Sequence, residues 1–375
     1  MKNKLTTTAL VSSMLVAGIT ASVAQTTVSG NLDLSYMATS AKGNSGAVNS
    51  FRGFGKESQI NIANKGKLNN GMDYAAGFSL EYDAPDANSN TGPHEENVYI
   101  DIISGDTTLS IGSDHTQNPD SNPTMLAGFG YLAVDSTINV SGVSTAVGGL
   151  YSKGANSPYS AYSVSLTQKT PIGSFSALYV PTAGTNLGGL NDVHNSSTAI
   201  AAEPTQTRGT PESAYELGFR GDLGVKGLTA MAFYNKQDRM DSVTTKNDMK
   251  GQRYAATYVT GPFSIAADYA KVDGVPTGQS ATLGLAGEDI KSKSIGLGYA
   301  ITPNLSASIT RGTSEINNPN TVANRTVAKE EIDMIALGYS LGPVAIQAQY
   351  KQADNVAGYS GADVDVFAVK VGTRF

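Results

Sequence analysis

The sequence predicts an all-β fold, an antiparallel up-and-down transmembrane barrel of sixteen strands. Three observations predict it. Polar and apolar residues alternate at period two in one segment after another; the connections between segments alternate between tight and long; and no stretch beyond the N-terminus approaches the roughly 20 apolar residues that a membrane helix requires.

The period is clearest at the two ends of the chain. In TTVSGNLDLSY, Val28, Leu32, Leu34 and Tyr36 form a dry set and Ser29, Asn31, Asp33 and Ser35 a wet one. In MDYAAGFSLEY the dry set is Tyr74, Ala76, Phe78, Leu80 and Tyr82, against Asp73, Ser79 and Glu81. The final VFAVKVGTRF sets Phe367, Val369, Val371 and Phe375 against Lys370, Gly372 and Arg374. The same alternation marks segments at 27–37, 58–65, 72–82, 96–103, 107–112, 161–168, 174–181, 214–221, 227–235, 252–260, 263–270, 292–301, 304–312, 331–341, 343–351 and 364–375. Each is a strand with one face against an apolar medium and the other against water.

Seven connections are turn-like, namely GKLNNG, SGD, KTPIG, DLGVK, TGP, TPN and LGP. They carry the Gly, Pro and Asn that tight turns demand. Eight others are long and polar, at 38–57, 83–95, 113–160, 182–213, 236–251, 271–291, 313–330 and 352–363. Strict alternation puts every tight turn and both termini at one rim and every long loop at the other, the anatomy of barrels with short periplasmic turns and long external loops.

A soluble sandwich is the competing all-β fold, and there the dry faces would have to meet each other. Two features favour lipid. Tyr36, Tyr82, Tyr179, Tyr234, Tyr269 and Tyr350 lie in dry phase near the long-loop ends, as an interfacial girdle does, although Tyr254, Tyr299 and Tyr339 lie deeper and blur it. The wet phase holds Asp33, Asp73, Glu81, Asp101, Glu216 and Asp268 with Arg220, Arg253, Lys370 and Arg374. That many charges do not share a packed core, so water must fill the interior. Sixteen strands leave an aqueous channel, whereas eight would be filled by side chains.

Residues 1–24 read as a secretory signal peptide, with Lys2 and Lys4, a short apolar run and the small-residue ending Ser22-Val23-Ala24. The barrel domain is then 25–375. Removing Lys2 and Lys4 takes the formal charge of −6 to about −8. An acidic balance argues against a nucleic-acid partner. Cysteine is absent, which excludes disulfides, thiol catalysis and zinc–thiolate sites.

The opening VSGNLDLSY, the hairpin SQINIANKGKLNNGMDYAAGFSLEY, the strand GDTTLSIGSDHT and the terminal VKVGTRF together resemble the general Gram-negative outer-membrane porin family. The likeness extends over the whole mature chain. In the hairpin the family usually shows an Arg near Gln59 and an acid near Asn69, and both departures remove charge. The resemblance implies a homotrimer in the outer membrane among lipid and lipopolysaccharide, with Phe375 presented to the outer-membrane insertion machinery. It also implies a third loop folded into the pore, here beginning near Ser113 and carrying Asp114, Asp120 and Asp135. Within that loop, 137–151 has the pattern of an extra hairpin.

The expected function is general diffusion of small hydrophilic solutes and ions. Loop acids Asp114, Asp120 and Asp135 would face wall bases drawn from Arg52, Lys56, Arg220, Arg253, Lys370 and Arg374, setting up a transverse field across the constriction. Six wet-phase acids against four bases predict a weak cation preference. The alternative is a substrate-specific channel, which should show an aromatic ladder on the wet face; only Tyr99 and Phe233 fall in that phase. No enzyme, cofactor or metal site is expected. His94, His115 and His194 all fall in predicted loops, so no strand supplies the base of a Ser-His-acid triad. The acid pairs Asp83/Asp86, Glu95/Glu96 and Asp363/Asp365 lack the ligand spacing of a calcium loop.

Overall fold

An extended chain in hydrocarbon must pair every backbone N–H and C=O with another strand, and only a closed sheet leaves no edge unpaired. The protein meets that demand. Its computed structural model describes residues 25–42, 48–83, 94–112, 137–140, 143–146, 163–181, 211–239, 249–273, 289–317, 328–356 and 360–375. The strands are β1 (Gln25–Lys42), β2 (Val48–Lys67), β3 (Asp73–Asp83), β4 (His94–Ser104), β5 (Thr107–Gly112), β6 (Thr137–Val140), β7 (Val143–Ala146), β8 (Ser163–Thr170), β9 (Gly173–Val180), β10 (Pro211–Gly221), β11 (Leu228–Arg239), β12 (Met249–Thr260), β13 (Phe263–Asp273), β14 (Asp289–Thr302), β15 (Leu305–Asn317), β16 (Glu330–Leu341), β17 (Val344–Asp354) and β18 (Asp363–Arg374). All but β6 and β7 join one closed antiparallel ring in chain order, with β5 paired to β8 and β1 to β18. The pair β6–β7 forms its own small hairpin where 137–151 suggested one. The signal-peptide reading of 1–24 falls outside the described residues.

All sixteen expected strands are present, but several reach further toward the long-loop rim. β1 and β2 stay paired out to Lys42 and Val48, so most of the connection expected at 38–57 is strand. β11, β12 and β15 likewise run on to Arg239, back to Met249 and on to Asn317. The physical reason is that the apolar period ends where lipid ends, whereas backbone pairing continues into water. His94, expected in a loop, opens β4 in register with Glu81.

The turn rim depends on glycine where the backbone sign requires it. In the Gly261-Pro262 and Gly342-Pro343 hairpins, glycine takes the first central position with φ of 55° and 63°. No atom lies near the place a Cβ would take at either glycine, so the constraint is conformational rather than steric.

The faces follow the predicted phase. Leu34, Leu217, Ile265, Leu297, Ile309 and Ile335 are exposed on the outside of the ring. Aromatic rings gather outside at two heights. Phe175–Phe219 and Phe263–Tyr299 pair near the turn rim, and Tyr36–Phe54, Tyr215–Tyr234 and Tyr254–Tyr269 pair toward the loop rim. The girdle blurred in sequence is therefore two belts, with Tyr299 and Tyr339 in the turn-side one, as interfacial aromatics on a spanning barrel should be.

Closure is made by β1 and β18 through local contacts on both faces. Gly30 and Phe375 exchange backbone hydrogen bonds of 2.9 and 3.0 Å. A Cβ on Gly30 would lie 2.3 Å from the Gln59 carbonyl and 2.7 Å from the Phe375 ring. Inside, Lys370 Nζ donates to Asp33 Oδ2 at 2.8 Å. Gly30→Ala is expected to lower the unfolding stability of the detergent-folded protein by about 2 kcal/mol through overpacking at the seam, read from the denaturant midpoint.

Candidate functional site: the inner wall

Every second residue of the ring points inward, and the inner set carries the charges the sequence assigned to it. Asp33 (β1), Asp73 and Glu81 (β3), Asp101 (β4), Glu216 and Arg220 (β10), Arg253 (β12), Asp268 (β13), and Lys370 and Arg374 (β18) all alternate with outward apolar neighbours. Their partners lie on the adjoining strands. Lys370 bridges to Asp33 at the seam, and Lys67 to Asp73 at 2.6 Å on the turn rim. Ser110 donates to Asp101 at 2.5 Å. Arg253, 1% exposed, donates through Nε to both Asp268 oxygens at 3.1 and 3.2 Å and through Nη2 to Oδ2. Next to it the Asn235 side-chain oxygen accepts the Gly251 N–H at 3.0 Å.

Two of the six predicted wall bases are elsewhere. Arg52 pairs in register with Ala38 and Lys56 with Leu34, and both of those partners belong to the outward set. The side chains of Arg52 and Lys56 therefore start from the outside of β2, beside Phe54, which is 89% exposed. The sequence placed 38–57 in a loop, where phase has no meaning; as strand, even-numbered positions there face out. The same extension reveals an inner residue that was missed. Glu57 sits in register with Asp33, on the inward phase shared by Gln59 and Asn61. Counting back by two from Gln59 would have found it. Glu330, Lys65, Lys67, Lys169 and Lys351 also take inner positions.

Around the ring the acids Asp33, Glu57, Glu81 and Asp101 lie on the neighbouring strands β1 to β4, and Arg253 on β12 lies half a circuit away. Of these, Asp33 and Arg253 are already paired, with Lys370 and Asp268. Asp114, Asp120 and Asp135, the proposed acids of the third loop, lie outside the described residues, as do His115 and His194. Tyr99 on β4 and Phe233 on β11 both face in, but β5, β8, β9 and β10 stand between them, so they form no ladder. Among the described residues no group of three or more acids or histidines is placed to hold a metal ion.

The inner wall is not uniformly wet. Toward the loop rim it carries apolar residues that are fully covered, among them Val180, Val272 and Val366, together with the buried Glu216 and Asn235. Toward the turn rim Asn31, Asp33, Ser35, Asp101 and Lys370 keep part of their surface open.

The closed sixteen-strand ring has a charged interior and an apolar exterior between aromatic belts, and the sequence itself matches the Gram-negative porin family model over residues 6–355. The chain belongs to the Gram-negative porin family. Solved porin structures share the fold at low sequence identity. The anion-selective porin of Comamonas acidovorans is 12% identical with a TM-score of 0.64, the alignment covering 94% of this chain and 100% of that one. The outer-membrane channel DcaP of Acinetobacter baumannii gives 14% and 0.63 over 94% and 97%. OmpF of Salmonella typhi, solved with daunomycin, gives 10% and 0.62 over 94% and 98%. No curated protein matches the chain. Family and fold together make this porin an outer-membrane channel rather than an enzyme.

Arg253→Ala leaves the Asp268 carboxylate without its principal partner in a half-buried setting. The single variant is expected to lose about 3 kcal/mol of unfolding stability, and Arg253→Ala with Asp268→Ala to lose less than the single change, a sign that a double-mutant cycle on denaturant midpoints can check.

Proposed function

We propose that this porin is a general diffusion channel for small hydrophilic solutes and ions, exported through cleavage of residues 1–24 and assembled as a homotrimer among outer-membrane lipids. The observation that carries the reading is the charged inner wall inside a closed ring of sixteen strands. Charges at Asp33, Asp101, Arg220 and Lys370 keep water in the lumen, and a solute that stays hydrated passes without a dedicated site. An apolar solute would have to shed water beside fixed charges, so it is disfavoured.

The constriction is assigned to the segment between β5 and β8. Two observations support it. Side chains such as Val180 and Val366 are fully covered on the inner wall, and a single sheet around open water does not cover its own inner face. In addition, β6 comes close to β1, four strands away from β5 around the ring, so the segment leaves its own sector. Asp114, Asp120 and Asp135 would then stand in the pore, opposed by wall bases among which Arg220, Arg253, Lys370 and Arg374 remain. The weak cation preference is assigned to those loop acids. Fold likeness to an anion-selective porin at 12% identity does not transfer selectivity. A trimer form is named for OmpT of Vibrio cholerae, 14% identical with a TM-score of 0.53, and the homotrimer is proposed on that analogy.

Planar-bilayer recording tests the reading. Large ohmic steps that sugars, amino acids and phosphate leave unblocked are expected, with a reversal potential in a salt gradient showing mild cation preference. Replacing Asp114, Asp120 and Asp135 by Asn should move that potential toward zero. Solute-dependent block would support the specific channel instead, and a clear anion preference in the unaltered protein would refute the assignment to the loop acids.

A further inference from the structure

The outside of the barrel is not evenly convex. A groove of about 550 Å³ runs across β13 to β17 on the outward face. Its deeper wall is a register row, Ile265–Leu297–Ile309–Ile335–Tyr350, each residue paired with the next. One row nearer the loop rim the lining turns polar, with Arg311 and Asp333 in register beside Gln352.

The polar end carries cations with capacity to spare. The Arg311 side chain is 59% exposed and donates from Nη2 to Glu331 at 2.8 Å, while Asp333 stands at 3.7 Å from Nη1. A guanidinium has five N–H donors, so these contacts leave several facing solvent. Lys293 lies two residues beyond the groove-lining Ile295, about 7 Å along the strand toward the loop rim. It points outward between Tyr269 and Thr313 and has no acidic partner among the described residues. An unpaired lysine on a lipid-facing wall, next to an incompletely used guanidinium and directly above an apolar trough, is an arrangement without an internal structural role.

We propose that this groove binds one anionic, phosphate-bearing membrane lipid, an acyl chain lying along Leu297, Ile309 and Ile335 and the phosphate meeting Lys293 and Arg311. The inference rests on the reading that this face contacts lipid. Charge complementarity selects the occupant: a neutral tail alone would leave the Lys293 ammonium unanswered and the remaining Arg311 donors unused, and a zwitterionic head brings its own cation to the same place. A second copy of the chain would have to cover Lys293 and Arg311, which costs desolvation unless it brings acids to them.

The protein has no tryptophan, so one introduced tryptophan reports a single place. Ile309→Trp, or Leu297→Trp should that variant not fold, is reconstituted in the full mature chain into vesicles of brominated phosphatidylcholine with and without brominated phosphatidylglycerol. Leu217→Trp on β10 serves as the distant outward reference, and heat-modifiable gel migration confirms that each variant is folded. Quenching at the groove should show phosphatidylglycerol favoured over phosphatidylcholine by about fivefold, the order expected from lysine or arginine at an anionic surface. Adding Lys293→Gln and Arg311→Gln should bring the ratio to about one, the value expected at Leu217→Trp. A ratio near one in the unaltered groove, or a preference that survives removal of both cations, overturns the lipid site while leaving the membrane reading intact. A groove reporter that neither lipid quenches overturns both, and marks the face as an interface with a second copy.

Discussion

The whole structure depends on pairing the first strand with the last. Until β1 meets β18, two rows of backbone donors and acceptors face hydrocarbon unpaired, and each unpaired group there costs several kcal/mol. Local chemistry at the seam is correspondingly tight. Gly30 lets the Phe375 ring and the Gln59 carbonyl approach from outside, and Gly372 makes room for the Asp33 carboxylate inside, where it meets Lys370. Function follows from the same closure, since a ring of sixteen strands encloses a water-filled volume without any further device.

Within the ring, the two-residue period assigns each side chain to water or to lipid, and the assignment organises the electrostatics. Much of the inner charge is paired between adjoining strands or across a turn, Asp33 with Lys370, Asp73 with Lys67 and Asp268 with Arg253. Outside, apolar rows lie between aromatic belts, and around the loop-side belt the outward rows become charged, with Lys293 in register with Tyr269 and Arg311 with Asp333. The strands therefore extend past hydrocarbon into a polar layer. That extension explains why they run longer than their apolar patterns.

Much of this was legible from residue order alone. The dry and wet sets of Val28–Tyr36 or Phe367–Phe375 needed no tertiary information, because a strand between two solvents records both in its side chains. Turns were legible for a similar reason, since Gly-Pro at 261–262 and 342–343 has few other uses. What failed was phase beyond the membrane. Residue order makes 38–57 a loop, which leaves Arg52 and Lys56 free to count as wall bases and gives Glu57 no phase. There the outer face meets water as the inner face does, so polarity no longer separates the sides. The pairing Leu34–Lys56 is set by register with β1, which is a long-range property. The groove was equally invisible, since it depends on the register among five consecutive strands, which the alternation within each strand does not record.

Alternate residues of each strand face water inside a closed ring and lipid outside it. Because the chain has no cysteine, single cysteines placed in turn at 31–36 of β1 can be challenged with a membrane-impermeant charged thiol reagent while conductance is recorded. Modification at Asn31, Asp33 and Ser35 should change the single-channel current, and Leu32, Leu34 and Tyr36 should be silent. Reaction without a two-residue alternation, or with the silent and reactive sets exchanged, would contradict the account.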